Sequence, residues 1–316
     1  MELDVFVTQE DLDQQLRAEV ANGLTSTPKW LSPRWFYDAR GSELFEDITR
    51  LPEYYPTRLE RSILAEHAAE IAAVTRAKTL VELGSGSSDK TRLLLNAIQP
   101  DCFMPLDVSV SALKEAAAGL RQEYPHMRLH ALAADFNRHL DRLPPGGSRL
   151  VAFLGGTIGN LLPAERARFF ANLRAALNPG EWLLIGTDLV KDPEVLIRAY
   201  DDASGVTAEF NRNVLRVLNR ELDADFDVDA FTHVAYWDPE REWIEMRLRA
   251  ERSMSVTLSR LGLTVHFAAG EELHTEVSAK FRQTGIISEL RTAGFAPERS
   301  WTDVNDLFAV TLAMAE

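Results

Sequence analysis

The sequence predicts an α/β fold in which a doubly wound parallel sheet carries a second, smaller α+β domain. From residue 79 onwards, short apolar runs alternate with helical patterns, which is typical of parallel strands joined by helices. A glycine-rich turn follows the first apolar run. After residue 222 the chain changes to short segments that look like antiparallel strands and loops.

The parallel sheet is predicted from apolar runs at residues 79–83, 102–106, 129–133, 150–154 and 182–185. A helix follows the glycine-rich turn and continues through Ile98, and Ser109 or Ser111 begins the next helix. Pro163 begins a helix after the fourth strand, and Asn178-Pro179-Gly180 ends it.

The remaining chain is predicted to supply the smaller domain and the end of the sheet domain. Helices are predicted from Thr8 to Gly23 and over residues 58–74, on either side of an aromatic-rich stretch broken by prolines. Residues 192–222 are predicted to be mostly helical. Antiparallel strands are predicted at residues 234–237, 243–249, 265–267 and 307–314.

These elements divide into two expected domains. The sheet domain comprises residues 58–190 and part of 283–316. The smaller domain comprises residues 1–57 and 191–282, that is, the first segment of the chain and an insertion after the fifth strand.

Composition excludes several classes of function. The 316 residues are 46% hydrophobic and 26% charged, as in folded globular proteins. The net charge of −14 argues against nucleic-acid and membrane partners, because both surfaces are anionic. Cys102 is the only cysteine, which rules out an internal disulfide and a cysteine-rich metal site. The acidic residues 1–4 do not resemble a signal peptide, so we expect a cytoplasmic protein.

The glycine-rich turn, Gly84-Ser85-Gly86, lies at the carboxyl end of the first predicted strand, where open α/β sheets bind ligands. A dinucleotide-binding turn requires a third glycine three residues after the second, and Asp89 occupies that position. The Gly-Lys-Ser/Thr end of a phosphate-binding loop is absent from the sequence as well. The turn therefore favours a ligand other than a dinucleotide or a nucleoside triphosphate.

Acidic residues end the first three predicted strands: Glu82 near the end of the first, Asp107 after the second and Asp135, followed by Phe136, after the third. Such carboxylates suit a ligand with ribose hydroxyls, an adenine amine and a positive charge, and S-adenosylmethionine has all three. A pyrophosphate would be repelled by the same carboxylates. The alternative, that these acids are helix N-caps and solvated loop ends, stays open.

Over nearly its whole length the chain resembles the histidine-specific Nα-methyltransferase family of ergothioneine biosynthesis. The motifs that carry the resemblance are LPEYYPTR at 51–58, VELGSG at 81–86, GN at 159–160, TDLVKD at 187–192, AYDD at 199–202, FNRN at 210–213 and EVSAKF at 276–281. Gly156 and Ala134 depart from the family pattern, which has serine and commonly glycine there. The resemblance implies a Rossmann-like S-adenosylmethionine-dependent methyltransferase sheet and trimethylation of the α-amino group of L-histidine to hercynine.

The resemblance also implies site residues, without a metal. Those expected to bind the methyl donor are Gly84, Ser85, Lys90, Asp107, Asp135 and Phe136. Those expected to bind the substrate are Tyr54, Asn160, Tyr200, Glu276, Ser278, Phe45, Gly155 and Met246, and those expected to take part in catalysis are Tyr37 and Asn160. The donor-binding role falls to the sheet domain and the substrate-binding role to the smaller domain, in a protein expected to be a monomer.

The chemistry of these side chains suits methyl transfer to an amino acid. Tyr54, Asn160 and Tyr200 offer neutral hydrogen-bond donors for a carboxylate, so no added cation would repel the sulfonium. A tyrosine with an ordinary pKa is a poor base near neutrality, so Tyr37 is given an orienting role. Phe45 offers a ring face to a quaternary ammonium.

Selection of the side chain is assigned to Glu276 and Ser278. Residues two apart in an extended segment share a face, so both can reach one imidazole ring. A carboxylate accepts a hydrogen bond from an imidazole N–H, and leaving it unpaired costs about 1–3 kcal/mol, which would reject phenyl and indole side chains.

Other functions stay open. The enzyme would methylate another amine, such as tryptophan or tyrosine, if the Glu276 and Ser278 assignment is wrong. A catalytically silent module would bind S-adenosylmethionine or histidine without turnover. An NAD-dependent oxidoreductase is disfavoured by Asp89, and a metal site by the strand-like context of His126 and His130.

Overall fold

The computed structural model describes residues 2–85, 90–144 and 148–316. The chain forms two compact units. Unit 1 comprises Met1–Thr8, Pro56–Val190 and Lys280–Glu316, and unit 2 comprises Gln9–Tyr55 and Lys191–Ala279. Unit 1 therefore includes the first eight residues, Pro56 and Thr57, and Lys280 to Arg282, all of which were predicted to belong to the smaller domain.

The strands, in chain order, are β1 (Glu2–Val5), β2 (Thr79–Leu83), β3 (Cys102–Asp107), β4 (Arg128–Ala133), β5 (Arg149–Phe153), β6 (Trp182–Asp188), β7 (Phe231–Asp238), β8 (Trp243–Ala250), β9 (Met254–Leu258), β10 (Leu263–Phe267), β11 (Glu272–Ala279), β12 (Phe295–Thr302) and β13 (Phe308–Ala315). The α-helices are α1 (Gln9–Thr25), α2 (Ala39–Arg50), α3 (Pro56–Thr75), α4 (Thr91–Ile98), α5 (Val110–Glu123), α6 (Pro163–Ala176), α7 (Pro193–Tyr200), α8 (Val206–Leu222) and α9 (Gln283–Thr292). None of these helices, within the described part of the chain, is long and apolar enough to cross a bilayer.

Unit 1 is built on an eight-stranded sheet with strand order β1-β4-β3-β2-β5-β6-β13-β12. Strands β1 to β6 pair in parallel, whereas β13 is antiparallel to both β6 and β12. The order reverses between β2 and β5, which is the switch point of a doubly wound sheet and the usual place for a ligand. This topology confirms the predicted α/β fold class.

The central strands form where the sequence is apolar on both faces. Every residue of β2 and of β5 is buried, and Leu80, Phe103, Leu150 and Leu184 belong to one core cluster with side chains of α3, α4 and α5. The observed bounds of β2 to β6 differ from the predicted strands by no more than three residues at either end. Continuous burial of β2 and β5 explains why these two strands appear in the sequence as largely apolar runs.

The edge strand β1 was not predicted. Its four residues include Glu2 and Asp4, so no apolar run marks it in the sequence. It pairs in parallel with β4, and Asp4 lies 2.9 Å from the Nε2 atom of His130 on that strand. A partner strand that is distant in sequence therefore stabilises β1, which explains why local patterns missed it.

Unit 2 contains a three-stranded antiparallel sheet of order β11-β8-β7 and the β9–β10 hairpin, together with α1, α2, α7 and α8. The helical stretch predicted at 192–222 is two helices. The break lies at Gly205, whose φ of +73° favours glycine, and the side chain of Asp202 accepts hydrogen bonds from the backbone N–H groups of Val206 and Thr207. Helix α2 and strands β9 and β11 were not predicted either.

Candidate active site

The turn after β2 is the first candidate feature of unit 1. Gly84 has a φ of +73°, and its N–H donates to the carbonyl of Leu106 at 2.8 Å, which ties the turn to the neighbouring strand β3. Ser85 is buried. Gly86 and Asp89, on which the ligand argument partly depended, lie outside the described residues.

Asp107 and Asp135 lie at the carboxyl edge of the sheet on adjacent strands. Asp107 ends β3, its carbonyl accepts from the N–H of Ala134, and Asp135 follows β4 directly. Each carboxylate also organises its own loop: Asp107 accepts from the N–H of Ser109 and Asp135 from that of Asn137, both at 2.9 Å. Both carboxylates therefore do organise loops, as the alternative interpretation of the sequence expected, and these hydrogen bonds fix where the two carboxylates lie.

Phe136, next to Asp135, packs against aromatic rings of unit 1. Its ring centroid lies 5.1 Å from that of Phe153 and 6.0 Å from that of Phe169. Phe136 is only partly buried, so it joins an apolar cluster and still meets solvent.

A buried carboxylate that the sequence analysis missed connects two of the predicted site residues. Glu60 on α3 is fully buried and forms an ion pair with Lys90. Both of its oxygens lie 2.9 Å from the N–H of Gly155, which has a φ of +81°. The sequence offered one signal for this pair: Glu60 is an acidic residue among the apolar residues, such as Ile63, on one face of a predicted helix. A charge on such a face is rarely buried unless it is paired.

Gly186 on β6 leaves the space that the Glu60 carboxylate occupies. A Cβ atom at position 186 would lie 1.9 Å from Oε1 of Glu60. We expect Gly186→Ala to displace Glu60 and to destabilise the fold by about 2 kcal/mol or more. Thermal unfolding would measure this as a lower Tm.

Gly285→Ala is the matched control, because position 285 lies in α9 and a Cβ atom there meets nothing within 4 Å. Alanine in an exposed helix should stabilise the protein by about 0.5–1 kcal/mol. Equal Tm values for Gly186→Ala and the parent protein would contradict the close packing around Glu60.

Asn160 ends a 3₁₀ turn, Thr157–Asn160, that follows β5. The turn begins at Gly156, whose φ of +69° lies in the left-handed region. Glycine adopts this conformation without strain, which accounts for glycine where the family pattern has serine. Asn160 is partly buried.

Unit 2 gathers the aromatic residues proposed for the substrate. Tyr37 lies 5.6 Å from Phe45, Phe45 lies 6.2 Å from Tyr54, and Tyr54 lies 6.4 Å from Tyr200, all between ring centroids in edge-to-face geometry. Phe210 was missed as a member, although it was part of a quoted motif; its ring lies 5.4 Å from that of Tyr37. We call these five residues the aromatic cluster.

The strand β11 brings the predicted polar pair to this cluster. The hydroxyls of Tyr200 and Ser278 lie 2.8 Å apart, which is a hydrogen bond. Glu276 pairs in register with Met246, and Ser278 pairs with Ile244. Met246, a predicted substrate neighbour, is a buried core residue on the same face of the sheet.

The pKa of the Tyr37 phenol is raised well above its ordinary value. Desolvation of the phenol is the main cause, and Glu276, Tyr54 and Tyr200 raise it further. Tyr37 is nonetheless 47% exposed, so a large part of its side chain meets solvent. A phenol that stays protonated at neutral pH donates a hydrogen bond and does not act as a base.

No group of three or more His, Cys, Asp or Glu side chains that could hold a metal ion occurs within residues 2–85, 90–144 and 148–316. His130 is instead paired with Asp4 at the sheet edge.

Comparison with known proteins gives a family match and curated relatives. Residues 16–315 match the family described as histidine-specific methyltransferase, SAM-dependent. The histidine N-alpha-methyltransferase of Mycolicibacterium smegmatis is 53% identical over 98% of this chain and 98% of its own. That of Mycobacterium tuberculosis is 54% identical over 94% of each chain. The 4-dimethylallyltryptophan N-methyltransferase of Claviceps fusiformis is 26% identical over 92% of this chain and 90% of its own.

Proposed function

Because the chain belongs to the histidine-specific, S-adenosylmethionine-dependent methyltransferase family, we propose that it trimethylates the α-amino group of L-histidine to hercynine, in ergothioneine biosynthesis. The observation that carries this proposal is the placement of Glu276 and Ser278 on one face of β11, with Ser278 bonded to Tyr200 of the aromatic cluster. Relatives named histidine N-alpha-methyltransferase, at 53% and 54% identity, support it.

The proposed role of unit 1 is to bind the methyl donor, whose sulfonium supplies an electrophilic methyl group. Its residues fit that molecule: Asp107 and Asp135 are acceptors for ribose hydroxyls and an adenine amine, and Lys90 is a partner for its carboxylate. Glu60 offsets the charge of Lys90, so the ammonium does not add to the positive charge of the sulfonium. Gly84, Ser85 and Phe136 complete the proposed donor contacts.

The proposed role of unit 2 is to bind histidine. Tyr54 and Tyr200 are neutral donors for its carboxylate, and Asn160 and Gly155 of unit 1 stay proposed substrate contacts. Glu276 accepts from one imidazole nitrogen and Ser278 bonds the other. Met246 lies opposite Glu276 on the neighbouring strand β8.

Tyr37 is proposed to act on the substrate amine, and Phe45 is proposed to stabilise the product cation. The protonated hydroxyl of Tyr37 orients the amine, or a water that accepts its protons, between methyl transfers. As methyl groups accumulate, the nitrogen loses its hydrogen-bond donors and keeps a positive charge, which the faces of Phe45 and the neighbouring tyrosines stabilise.

Mass spectrometry tests the function directly. Purified protein is incubated with S-adenosylmethionine and all twenty amino acids, and histidine alone should gain three methyl groups. Methylation of another amino acid instead would support a methyltransferase but overturn the assignment of Glu276 and Ser278 to the imidazole. Tryptophan is the first alternative to test, because the name of the Claviceps relative contains a tryptophan-derived substrate. Binding of donor and histidine without turnover, measured by calorimetry, would indicate a silent module.

We further propose that the enzyme is a cytoplasmic monomer. The net charge of −14 disfavours self-association through repulsion, and a single cysteine suits a reducing compartment. Light scattering on the purified protein should give a mass near 35.4 kDa. Twice that mass would show a dimer and contradict this prediction.

A further inference from the structure

The strand β11 contains a bulge immediately before Glu276. Its regular pairing with β8 runs to His274, which lies opposite Arg247, and resumes at Glu276, which lies opposite Met246. Thr275 lies between them as the extra residue, without a register partner on β8. A bulge of this kind turns the following side chains to the other face of the sheet.

The bulge decides which face Glu276 occupies. On β8, the buried Met246 and Leu248 mark the inner face, and Arg247 and Arg249 mark the outer face. If Thr275 paired regularly with Met246, Glu276 would lie opposite Glu245 on the outer face, with two like charges side by side. Because Thr275 is bulged instead, Glu276 and Ser278 lie on the inner face, and Ser278 meets Tyr200.

Buried polar side chains hold the bulge. The hydroxyl of Thr275 donates to Oδ1 of Asn211 on α8 at 2.7 Å and lies 2.9 Å from the carbonyl of Met246. The amide nitrogen of Asn211 donates to the carbonyl of Arg247 at 3.1 Å and to Nδ1 of His233 at 2.8 Å. Asn211 and Thr275 are fully buried, so their bonds form away from water and are costly to lose.

The same chain of bonds reaches Tyr200. Nδ1 of His233 accepts from Asn211, so its Nε2 carries the hydrogen and donates to the backbone carbonyl of Tyr200 at 2.8 Å. Burial lowers the pKa of His233 and keeps this imidazole neutral, as the two bonds require. One asparagine thus connects the bulge before Glu276 with the residue whose hydroxyl bonds Ser278.

We propose that Thr275 and Asn211 are positioning residues for substrate selection: they hold the bulge that turns Glu276 and Ser278 towards the imidazole. This inference rests on the proposed function. Neither residue touches the substrate in this proposal, and each acts through Glu276, Ser278 and Tyr200. Asn211 belongs to a motif of the resemblance, FNRN at 210–213, to which the sequence analysis gave no role.

Thr275→Val removes the hydroxyl and keeps the shape of the side chain. We expect KM for histidine to rise about tenfold or more, because a buried bond is lost and Glu276 shifts. The Kd for S-adenosylmethionine, measured by calorimetry, should change less than twofold. Thr275→Ser restores the hydroxyl and should return KM for histidine to within about threefold of the parent.

Val214→Ala is the matched control for a general loss of stability, since Val214 is buried in α8 one turn from Asn211. It should lower Tm and leave KM for histidine unchanged. If Thr275→Val does not fold, Asn211→Ala provides the same measurement. A parent-like KM in either variant, or a Thr275→Ser variant as impaired as Thr275→Val, would overturn the proposal.

A double-mutant cycle tests whether Thr275 acts through Glu276. In a Glu276→Gln background, Thr275→Val should raise KM for histidine less than threefold further. If Thr275→Val raises KM for histidine by the same factor with and without Glu276, Thr275 does not act through Glu276, and the proposal would be overturned. Failure of the proposed function is distinguishable, because the parent protein itself would then not methylate histidine.

Discussion

Glu276→Gln is expected to lower kcat/KM for histidine by roughly 10- to 100-fold and to leave the Kd for S-adenosylmethionine unchanged. A hydrogen bond to a charged acceptor contributes about 1.5–3 kcal/mol, and the variant exchanges that acceptor for a neutral amide of the same shape. The amide also presents an N–H group to the ring, where only acceptors match an imidazole N–H. Steady-state kinetics with purified enzyme, varying histidine at saturating donor, measures the loss.

Glu272→Gln is the control from the same strand. Glu272 precedes the bulge and pairs with Arg247 and Arg249 on the outer face of the sheet. Its replacement removes two ion pairs that are partly exposed, so histidine kinetics should stay within about twofold of the parent. Equal losses in the two variants would show that the position of the charge on β11 does not matter, and the imidazole assignment would then be wrong.

A further readout is discrimination between amino acids. If Glu276 rejects side chains that lack an imidazole N–H, its loss should harm histidine more than phenylalanine and narrow the ratio of their kcat/KM values. A ratio that stays constant would mean that Glu276 supports catalysis generally and does not select the side chain.

The parallel sheet was predictable because each of its central strands carries a local signal. Strands β2 to β6 are short apolar runs, and Gly84 marks the turn after the first. The edge strand β1 lacks such a run and depends on β4. Strand β11 was missed although polar and less polar residues alternate along Glu272–Ala279, and its bulge is visible only in its pairing with β8. Pairing with a strand that is distant in sequence therefore decides where β1 forms and where β11 bulges.

The same distinction applies to the candidate site. A spacing of two residues was enough to predict that Glu276 and Ser278 share a face, and the structure has them on one face. Which face they occupy depends on Asn211, 64 residues before Thr275. The hydrogen bond between Gly155 and Glu60 joins residues 95 positions apart, and no local sequence pattern indicates it. Their functional roles stay predictions.

Glu82 is expected to make the folded protein less stable as the pH rises from about 4.5 to about 8. Its side chain is buried on β2, Thr91 donates to Oε1, and Oε2 has no hydrogen-bond partner among the residues that the structure describes. Burial raises the pKa of this carboxyl from 4.5 to about 8, with Glu60 and Asp107 adding to the rise and Thr91 and Lys90 opposing it.

The sign follows from proton binding. Below pH 4.5 the carboxyl is protonated in both the folded and the unfolded protein, so it contributes no pH dependence. Between pH 4.5 and about 8 the folded protein holds a proton that the unfolded chain has released, so the free energy of unfolding falls by about 1.4 kcal/mol per pH unit. Above pH 8 the cost of the buried charge is complete, on the order of 5 kcal/mol.

Glu82→Gln isolates this contribution, because an amide of the same shape stays neutral at every pH. Urea unfolding of the parent and the variant between pH 5 and pH 9 should give stability curves that diverge with rising pH, with the variant the more stable at pH 8. Other titrating groups affect both proteins equally and cancel in the difference. Parallel curves would mean that Glu82 ionises normally in the folded protein, which would require a partner for its carboxylate beyond Thr91 and Lys90.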